Sequence, residues 1–130
     1  VMQVNINGPI WMVQALLPLL KASKDASVVL TSSSVGRKGR AFWGAYSVSK
    51  FATEGFSQML AQELENTSQV RVNTLNPGGT RTPMRKSAFP AEDPDTLRTP
   101  ADIMPTYLWL MGPDSRGHTG EMFDAQPPKV

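Results

Sequence analysis

The sequence contains no cysteine and a single histidine, His118. Without thiols the chain can form neither a disulfide framework nor a thiolate metal site, and one imidazole supplies too few ligands for zinc. We therefore expect no metal site and no disulfide-stapled fold. A reducing, cytoplasmic location fits this composition.

Long apolar runs and blocks of like charge are also missing. The longest apolar stretch, residues 10–20, is interrupted by Gln14 and Pro18, so no membrane span is expected. The 13 basic and 11 acidic residues are spread along the chain, and the net charge of +2 argues against a nucleic-acid-binding protein. Only the loop RKGR at 37–40 is locally basic, and it fits either a solvated loop or a contact with a phosphate or an acidic substrate.

What is present is an alternation of helix and strand patterns. Hydrophobic residues make up 40% of the 130 residues, which is enough to bury a core. Residues 8–23 are apolar over too wide a surface for one solvent-facing stripe, which predicts a helix buried on two sides. The run SVVLT at 27–31 predicts a strand covered on both faces, as in parallel sheets. A second helix is predicted over 46–66 and a second strand over 70–75.

The last third of the chain continues this alternation. Residues 99–102 have the form of a capping box with proline at the first helical position, so a third helix is predicted to run to Met111, disturbed at Pro105. Residues 121–124 predict a final short strand. About three helices alternating with three strands predict an α/β fold with a doubly wound parallel sheet. The long, proline-rich connection 78–101 is interpreted as a lid.

Tyr46 and Lys50 stand four residues apart at the start of the second predicted helix, so both side chains are expected on one face. A phenol has an ordinary pKa of about 10, and a nearby ammonium favours the ionised form that an acid/base catalyst uses near neutral pH. Such a pair also arises on ordinary helix surfaces. Ser33 favours the catalytic interpretation because it lies just past the predicted strand 27–31, where parallel sheets place their ligand crevice.

Four segments resemble, in this order, the short-chain dehydrogenase/reductase family: VNING at 4–8, TSSSVG at 31–36, GAYSVSKFA at 44–52 and NPGGTRTPM at 76–84. The resemblance covers the whole chain, and the last third is most similar to a bacterial subgroup whose substrates are poorly defined. It implies a Rossmann-like fold and an oxidoreductase that transfers hydride between NADP or NAD and a small carbonyl or alcohol substrate. It also implies a homodimer or homotetramer formed through helices 8–23 and 46–66.

The resemblance assigns four residues to catalysis: Asn5, Ser33, Tyr46 and Lys50. Tyr46 would exchange a proton with the substrate oxygen, and Ser33 would hydrogen-bond that same oxygen. Lys50 would support the ionised tyrosine and, with Tyr46, bind the nicotinamide ribose. Asn5 would hold a water of a proton relay, and it is preferred over Asn7 because it stands three residues before Gly8.

The same resemblance predicts cofactor contacts from the turn after the strand 70–75: Pro77, Gly78, Thr80 and Thr82. The glycine-rich turn and the charged residue with which the family binds adenosine and pyrophosphate do not occur in this sequence. Residues 1–130 are therefore expected to be the C-terminal catalytic and substrate-lid half of one domain, without its dinucleotide-binding half, and to be inactive alone. The choice between NAD and NADP is not set by these residues. The alternative is a non-catalytic dinucleotide-binding or scaffolding protein on the same fold.

Overall fold

A computed structural model describes residues 1–127. Its main elements are α1 (Gly8–Ala22), β1 (Ser27–Thr31), α2 (Gly44–Glu65), β2 (Arg71–Asn76), α3 (Pro83–Ala88), α4 (Pro100–Met111) and β3 (Met122–Asp124). α3 was not predicted, and the ends of the other six elements differ from the predicted ones by at most two residues, which is within ordinary fraying. A π-helical turn precedes α1 (Gln3–Asn7), and 3₁₀ turns lie at Ser34–Gly36, Pro94–Thr96 and Pro113–Ser115. Within residues 1–127, no helix is long and apolar enough to cross a bilayer.

The strands form one parallel sheet in the order β1-β2-β3. α2 lies on one face, where Thr74 Oγ1 of β2 donates to the Glu54 carboxylate at 2.8 Å. α4 lies on the other face, where Ser27 Oγ of β1 donates to the Leu110 carbonyl at 2.6 Å. Helices on both faces of a parallel sheet make the fold doubly wound and Rossmann-like, as predicted.

The hydrophobic core lies between the sheet, α1 and α2. Leu60 and Leu64 of α2 belong to one buried cluster with Val13 of α1 and Val72 of β2. β2 is the central strand, and it is buried at every position except Asn76. Burying a side chain of this size stabilises the fold by about 1.5–3 kcal/mol. Because β2 is buried and pairs with both β1 and β3, it fixes the positions of the carboxyl ends of those two strands.

Two burial predictions are wrong for this chain. α1 buries only Val13, whereas Trp11, Met12 and Leu19 are 56%, 64% and 70% exposed. β1 is an edge strand, and most of its side chains are half-buried rather than covered on both faces. The apolar content of a helix predicts how much of its surface has to be covered by other elements. Residues 1–127 provide such elements on one side of α1 only.

α4 begins at the predicted capping box. Thr99 Oγ1 accepts from the Asp102 backbone N–H at 3.3 Å, and the Asp102 carboxylate accepts from the Thr99 N–H at 2.8 Å. The helix then runs through Pro105 to Met111, and the disturbance predicted at this proline does not end it. Pro105 lies near the start of α4, so its missing N–H removes one hydrogen bond, to the Ala101 carbonyl, and the rest of the helix continues.

The proline-rich segment 78–101, which we call the lid, is folded. It contains α3 and the Pro94–Thr96 turn, and its ends meet in a short parallel bridge between Thr80 and Arg98. Across this bridge the Arg81 N–H donates to the Arg98 carbonyl at 2.8 Å. The lid is therefore a closed loop that leaves β2 and returns to nearly the same place before α4.

Candidate active site

The start of α2 carries the predicted catalytic pair. Lys50 lies one turn beyond Tyr46, and its Nζ is 5.7 Å from the centroid of the tyrosine ring. The same Nζ donates to the Thr31 carbonyl at 2.8 Å, at the carboxyl end of β1. Burial lowers the pKa of the Lys50 ammonium below its ordinary value. The ammonium is thus fixed between the strand end and the phenol ring.

A close approach between the Ser34–Gly36 turn and α2 positions this pair. A Cβ at Gly36 would lie 2.6 Å from the Lys50 Cβ and 2.7 Å from the Lys50 carbonyl carbon and oxygen. Carbon atoms pack best at about 3.5–4.0 Å, so only glycine fits at this contact. Ser47 reinforces it by donating from Oγ to the Val35 carbonyl at 2.6 Å. Gly36 therefore sets how near Lys50 comes to the end of β1.

Ser33 lies between β1 and the Ser34–Gly36 turn. It is the N-cap of that turn, and its Oγ accepts from the backbone N–H of Val35 at 3.4 Å. Its neighbours differ in exposure, since Ser32 is fully buried and Ser34 is exposed. Of these serines Ser33 is the half-buried one, and its contact with a substrate stays a prediction.

Asn5 lies in the π-helical turn before α1 and is tied to α2. Its Nδ2 donates to Ser49 Oγ at 3.1 Å, and Ser49, which is fully buried, donates to the Tyr46 carbonyl at 2.7 Å. Asn7 instead donates to the Gln3 side chain at 3.0 Å in an exposed contact. Of the two asparagines, only Asn5 is therefore connected to α2 by a side-chain hydrogen bond. The sequence analysis missed Ser49, because its partner is 44 residues away.

A groove of about 540 Å³ along β1 brings Asn5 and Lys50 together. Thr31, which accepts the Lys50 hydrogen bond, also lines it, and much of the remaining wall is apolar. A water-mediated relay needs its residues on one accessible surface. Asn5 and Lys50 thus lie on one surface, beside the edge of the sheet that residues 1–127 leave uncovered.

Tyr46 borders a different cavity, of about 560 Å³, between α2, the lid and α4. The cofactor contacts predicted in the turn after β2 all line it: Pro77, Gly78, Thr80 and Thr82. Trp43, three residues before Tyr46, lines it as well, whereas Asn5, Ser33 and Lys50 are not among its lining residues. The structure thus brings Tyr46 together with the turn after β2, while Asn5 and Lys50 lie along the groove.

The turn after β2 is held by the segment that follows β3. Gln126 Nε2 donates to the Pro77 carbonyl at 2.9 Å and to the Gly79 carbonyl at 2.8 Å. Gly78 has a φ of +74°, and a Cβ there would lie 3.0 Å from Gln126 Nε2. The Gly78 N–H donates to Asn76 Oδ1 at 3.1 Å. Gln126 was missed by the sequence analysis, because no local pattern marks a partner 47 residues away.

Comparison with known proteins agrees with this geometry. The family described as short chain dehydrogenase matches residues 1–93. The chain belongs to the short-chain dehydrogenase family. It is 66% identical over 127 residues to the uncharacterized oxidoreductase YciK of Escherichia coli K12, a match that covers 98% of this chain and 50% of YciK.

Solved short-chain dehydrogenase structures share the fold. One from Shigella flexneri, complexed with NADP, is 65% identical with a TM-score of 0.94, covering 98% of this chain and 52% of that one. Another, from Escherichia coli CFT073 and complexed with NADPH, is 66% identical with a TM-score of 0.94 and the same coverage of 98% and 52%. The chain thus spans about half the length of the relatives it matches.

Arg37 of this short-chain dehydrogenase chain is engaged in internal ion pairs. Its Nε contacts Glu54 at 2.9 Å, its Nη1 contacts Asp124 at 3.0 Å, and its Nη2 donates to the Phe123 carbonyl at 2.9 Å. Glu54 is buried, and a buried carboxylate needs such a partner. The basic loop 37–40 is therefore not simply solvated, since Arg37 ties it to α2 and β3.

The arginines of the lid are also paired with acidic side chains. Arg85 donates from Nε and Nη2 to the Glu92 carboxylate at 2.6 and 2.8 Å, and Arg81 lies 3.4 Å from the Asp95 carboxylate. Hydrogen bonding to Glu92 raises the pKa of Arg85 above its ordinary value. Across residues 1–127 no group of three or more histidine and acidic side chains is arranged to hold a metal ion.

Proposed function

We propose that residues 1–130 form the C-terminal catalytic and substrate-lid half of an NADP-dependent oxidoreductase. The placement of Tyr46 carries this proposal, because its ring lies 5.7 Å from Lys50 Nζ and its side chain borders the cavity formed with the turn after β2. The match to half the length of YciK supports a longer parent, to which we refer as the full-length protein.

NADP is the proposed cofactor because two relatives with more than 60% identity were solved with NADP and NADPH. The turn after β2 is compatible with such a ligand, since its residues, among them two threonines with hydroxyl groups, line the cavity. Pro77, Gly78, Thr80 and Thr82 would hold the carboxamide and phosphates, and Tyr46 and Lys50 the ribose. When bound, the nicotinamide supplies or accepts hydride, so that a carbonyl carbon gains hydride while its oxygen gains a proton.

Tyr46 is proposed to exchange that proton with the substrate oxygen. The Lys50 ammonium, which lies 5.7 Å from the centroid of the Tyr46 ring, would stabilise negative charge left on the tyrosine oxygen, because opposite charges attract more strongly when they are partly buried. Ser33 would donate a second hydrogen bond to the substrate oxygen. Asn5, tied to α2 through Ser49, would hold a water that links Lys50 to solvent and so returns the proton.

We further propose that the full-length protein is a homodimer or homotetramer formed through α1 and α2. Large apolar side chains are exposed on both helices, among them Trp11 and Leu19 on α1 and Phe51 and Met59 on α2. Contiguous exposed apolar surface marks interaction sites. Sedimentation at high micromolar concentration should therefore show a dimer or tetramer, and a strict monomer would contradict this assignment. A cytoplasmic location is proposed from the cysteine-free composition.

Cofactor titration tests the proposed function. NADPH should bind the full-length protein saturably at micromolar concentration, with a change in nucleotide fluorescence, and should be oxidised when a ketone is added. The 130-residue chain alone should do neither, because it has no glycine-rich turn at a helix N-terminus to bind the pyrophosphate. Saturable micromolar binding to a folded 130-residue chain would show that the half-domain assignment is wrong. A full-length protein that binds neither NADPH nor NADH would overturn the function itself.

A further inference from the structure

We infer that the substrate is an uncharged, largely apolar carbonyl compound that carries a flat ring. This inference rests on the proposed function and deepens it, since it concerns the cavity beside Tyr46. The turn after β2 lines one part of that cavity, and residues of α2, the lid and α4 line the rest. We assign the substrate to this second part, because the turn is assigned to the cofactor and Tyr46 belongs to α2.

Aromatic rings form a row that leads away from the tyrosine. The Trp43 ring lies 5.8 Å from the Tyr46 ring and 6.0 Å from the Phe89 ring of the lid, measured between centroids. Such spacings are typical of favourable tilted aromatic contacts, and the same surface offers a flat ligand a place to stack. Apolar side chains from the lid and α4 complete the wall: Met84, Ile103 and Met104. A wall of this kind selects for apolar area and for planarity.

A charged substrate is disfavoured, because among the described residues that line the cavity no cationic side chain lacks an acidic partner. Arg85 is the one charged side chain among the described residues that line the cavity. It makes two hydrogen bonds to Glu92, and its guanidinium lies 3.9 Å from the centroid of the Phe89 ring. A carboxylate on the substrate would have to displace Glu92 from this pair or be desolvated without a partner, and both cost free energy.

Phe42, another residue that lines the cavity, has an unusual combination of side-chain exposure and backbone conformation. It lines the cavity, yet its side chain is fully exposed, and its φ of +71° lies in the left-handed region. Positive φ is disfavoured for a bulky residue, and strained residues of this kind cluster at ligand-binding sites. A phenyl ring that is exposed beside an apolar cavity gains burial when a ring-bearing substrate enters. Phe42 is therefore assigned as a residue that determines specificity.

Substrate competition in the full-length protein tests the inference. With NADPH, kcat/KM for 2-acetylnaphthalene should exceed that for butan-2-one and that for phenylglyoxylate, an anionic aryl ketone, by about tenfold or more each. Calorimetric titration of the same ketones into the complex with NADP⁺, which cannot reduce them, should give the same order of affinity. If phenylglyoxylate binds and reacts as well as 2-acetylnaphthalene, the substrate class is wrong while the proposed function stands. If no ketone is reduced although NADPH binds, the proposed function fails, and the calorimetric order still decides the substrate class.

Two variants test the residues that carry the argument. Glu92→Gln releases Arg85 and should raise kcat/KM for phenylglyoxylate about tenfold, whereas Glu63→Gln on the exposed side of α2 should leave it unchanged. Phe42→Ala should lower kcat/KM for 2-acetylnaphthalene several-fold and leave butan-2-one unaffected, with exposed Leu108→Ala as the matched control. An unchanged preference in both Glu92→Gln and Phe42→Ala would overturn the inference.

Discussion

Two regions that meet near Tyr46 are held together by different kinds of bonds. In the floor, by which we mean residues 31–37 and 44–54, hydrogen bonds join residues distant in sequence: Ser47 to Val35 across 12 residues, Lys50 to Thr31 across 19 and Arg37 to Asp124 across 87. In the lid the partners are nearer, as with Arg85 and Glu92, seven apart. Local bonds survive when a segment moves as a unit, whereas non-local bonds do not. The floor is therefore tied to the sheet by non-local bonds, whereas the lid is held together mainly by bonds within itself.

The attachment of the lid to the rest of the molecule is correspondingly narrow. Leu97 is its one buried apolar side chain, and Gln126 holds it at its base through the Gly79 carbonyl. The proposed catalytic residues and the proposed substrate-binding residues of the lid thus belong to separate regions. The following variants, in order of decreasing expected effect, test whether the two regions behave differently.

Tyr46→Phe in the floor should have the largest effect, because it removes the proton donor while keeping the ring. In the full-length protein kcat should fall by about 10²–10⁴-fold, with the Kd for NADPH within a few-fold of the original. Steady-state rates and fluorescence titration measure the two quantities. Phe89→Leu in the lid is the counterpart, and it should change KM more than kcat. A Tyr46→Phe enzyme that keeps most of its activity would remove Tyr46 from the mechanism.

Glu54→Gln and Glu92→Gln make the same substitution in the two regions. Glu54 is 5% exposed and holds both Arg37 and Thr74, so the floor variant should lose about 3 kcal/mol of unfolding free energy. Glu92 pairs with Arg85 near the surface, so the lid variant should lose about 1 kcal/mol or less. Urea unfolding of the unchanged protein and of the two variants measures both losses of unfolding free energy. Equal losses would show that the floor is no more tightly held than the lid.

Gly36→Ala should destabilise the floor by about 2 kcal/mol, because the new methyl group would overlap the backbone of α2 at Lys50. Gly39→Ala is the matched control, since nothing lies within 4 Å of a Cβ at that position. Thermal unfolding should separate the two variants by several degrees. If both melt at the same temperature, the close approach at Gly36 does not hold the catalytic lysine in place.

The smallest effect is expected from Asp102→Asn at the junction of the lid and α4. The backbone hydrogen bond from Thr99 lowers the pKa of the Asp102 carboxyl below its ordinary value. The carboxylate therefore stabilises the fold at pH values above its unfolded pKa, and this contribution is lost as the pH falls through the lowered folded pKa. Melting temperatures measured from neutral to acid pH should fall less steeply for Asp102→Asn than for the unchanged protein. Asp114→Asn, at an exposed residue outside the capping box, should follow the unchanged protein, and identical slopes for all three would contradict the assigned role of the cap.

The difference between floor and lid also explains which features were predictable from the sequence. Strand and helix positions follow from local hydrophobic patterns, and the spacing of Tyr46 and Lys50 on one helix fixes their common face. Ser49 and Gln126 were not predictable, because each acts on a segment more than 40 residues away. The burial of α1 was predicted wrongly for a related reason. The apolar residues of α1 predict that the helix is covered, but they do not predict which element covers it.

The bridge between Thr80 and Arg98 has a consequence for engineering. Because it closes the ends of the lid against each other, the intervening residues form an insert whose two boundaries already meet. Such an insert can be exchanged for one of different length or composition without redesigning the strands on which it stands. Libraries that vary residues 83–97 and leave positions 80–82 and 98 untouched would then sample new substrate pockets while the proposed cofactor contacts stay the same.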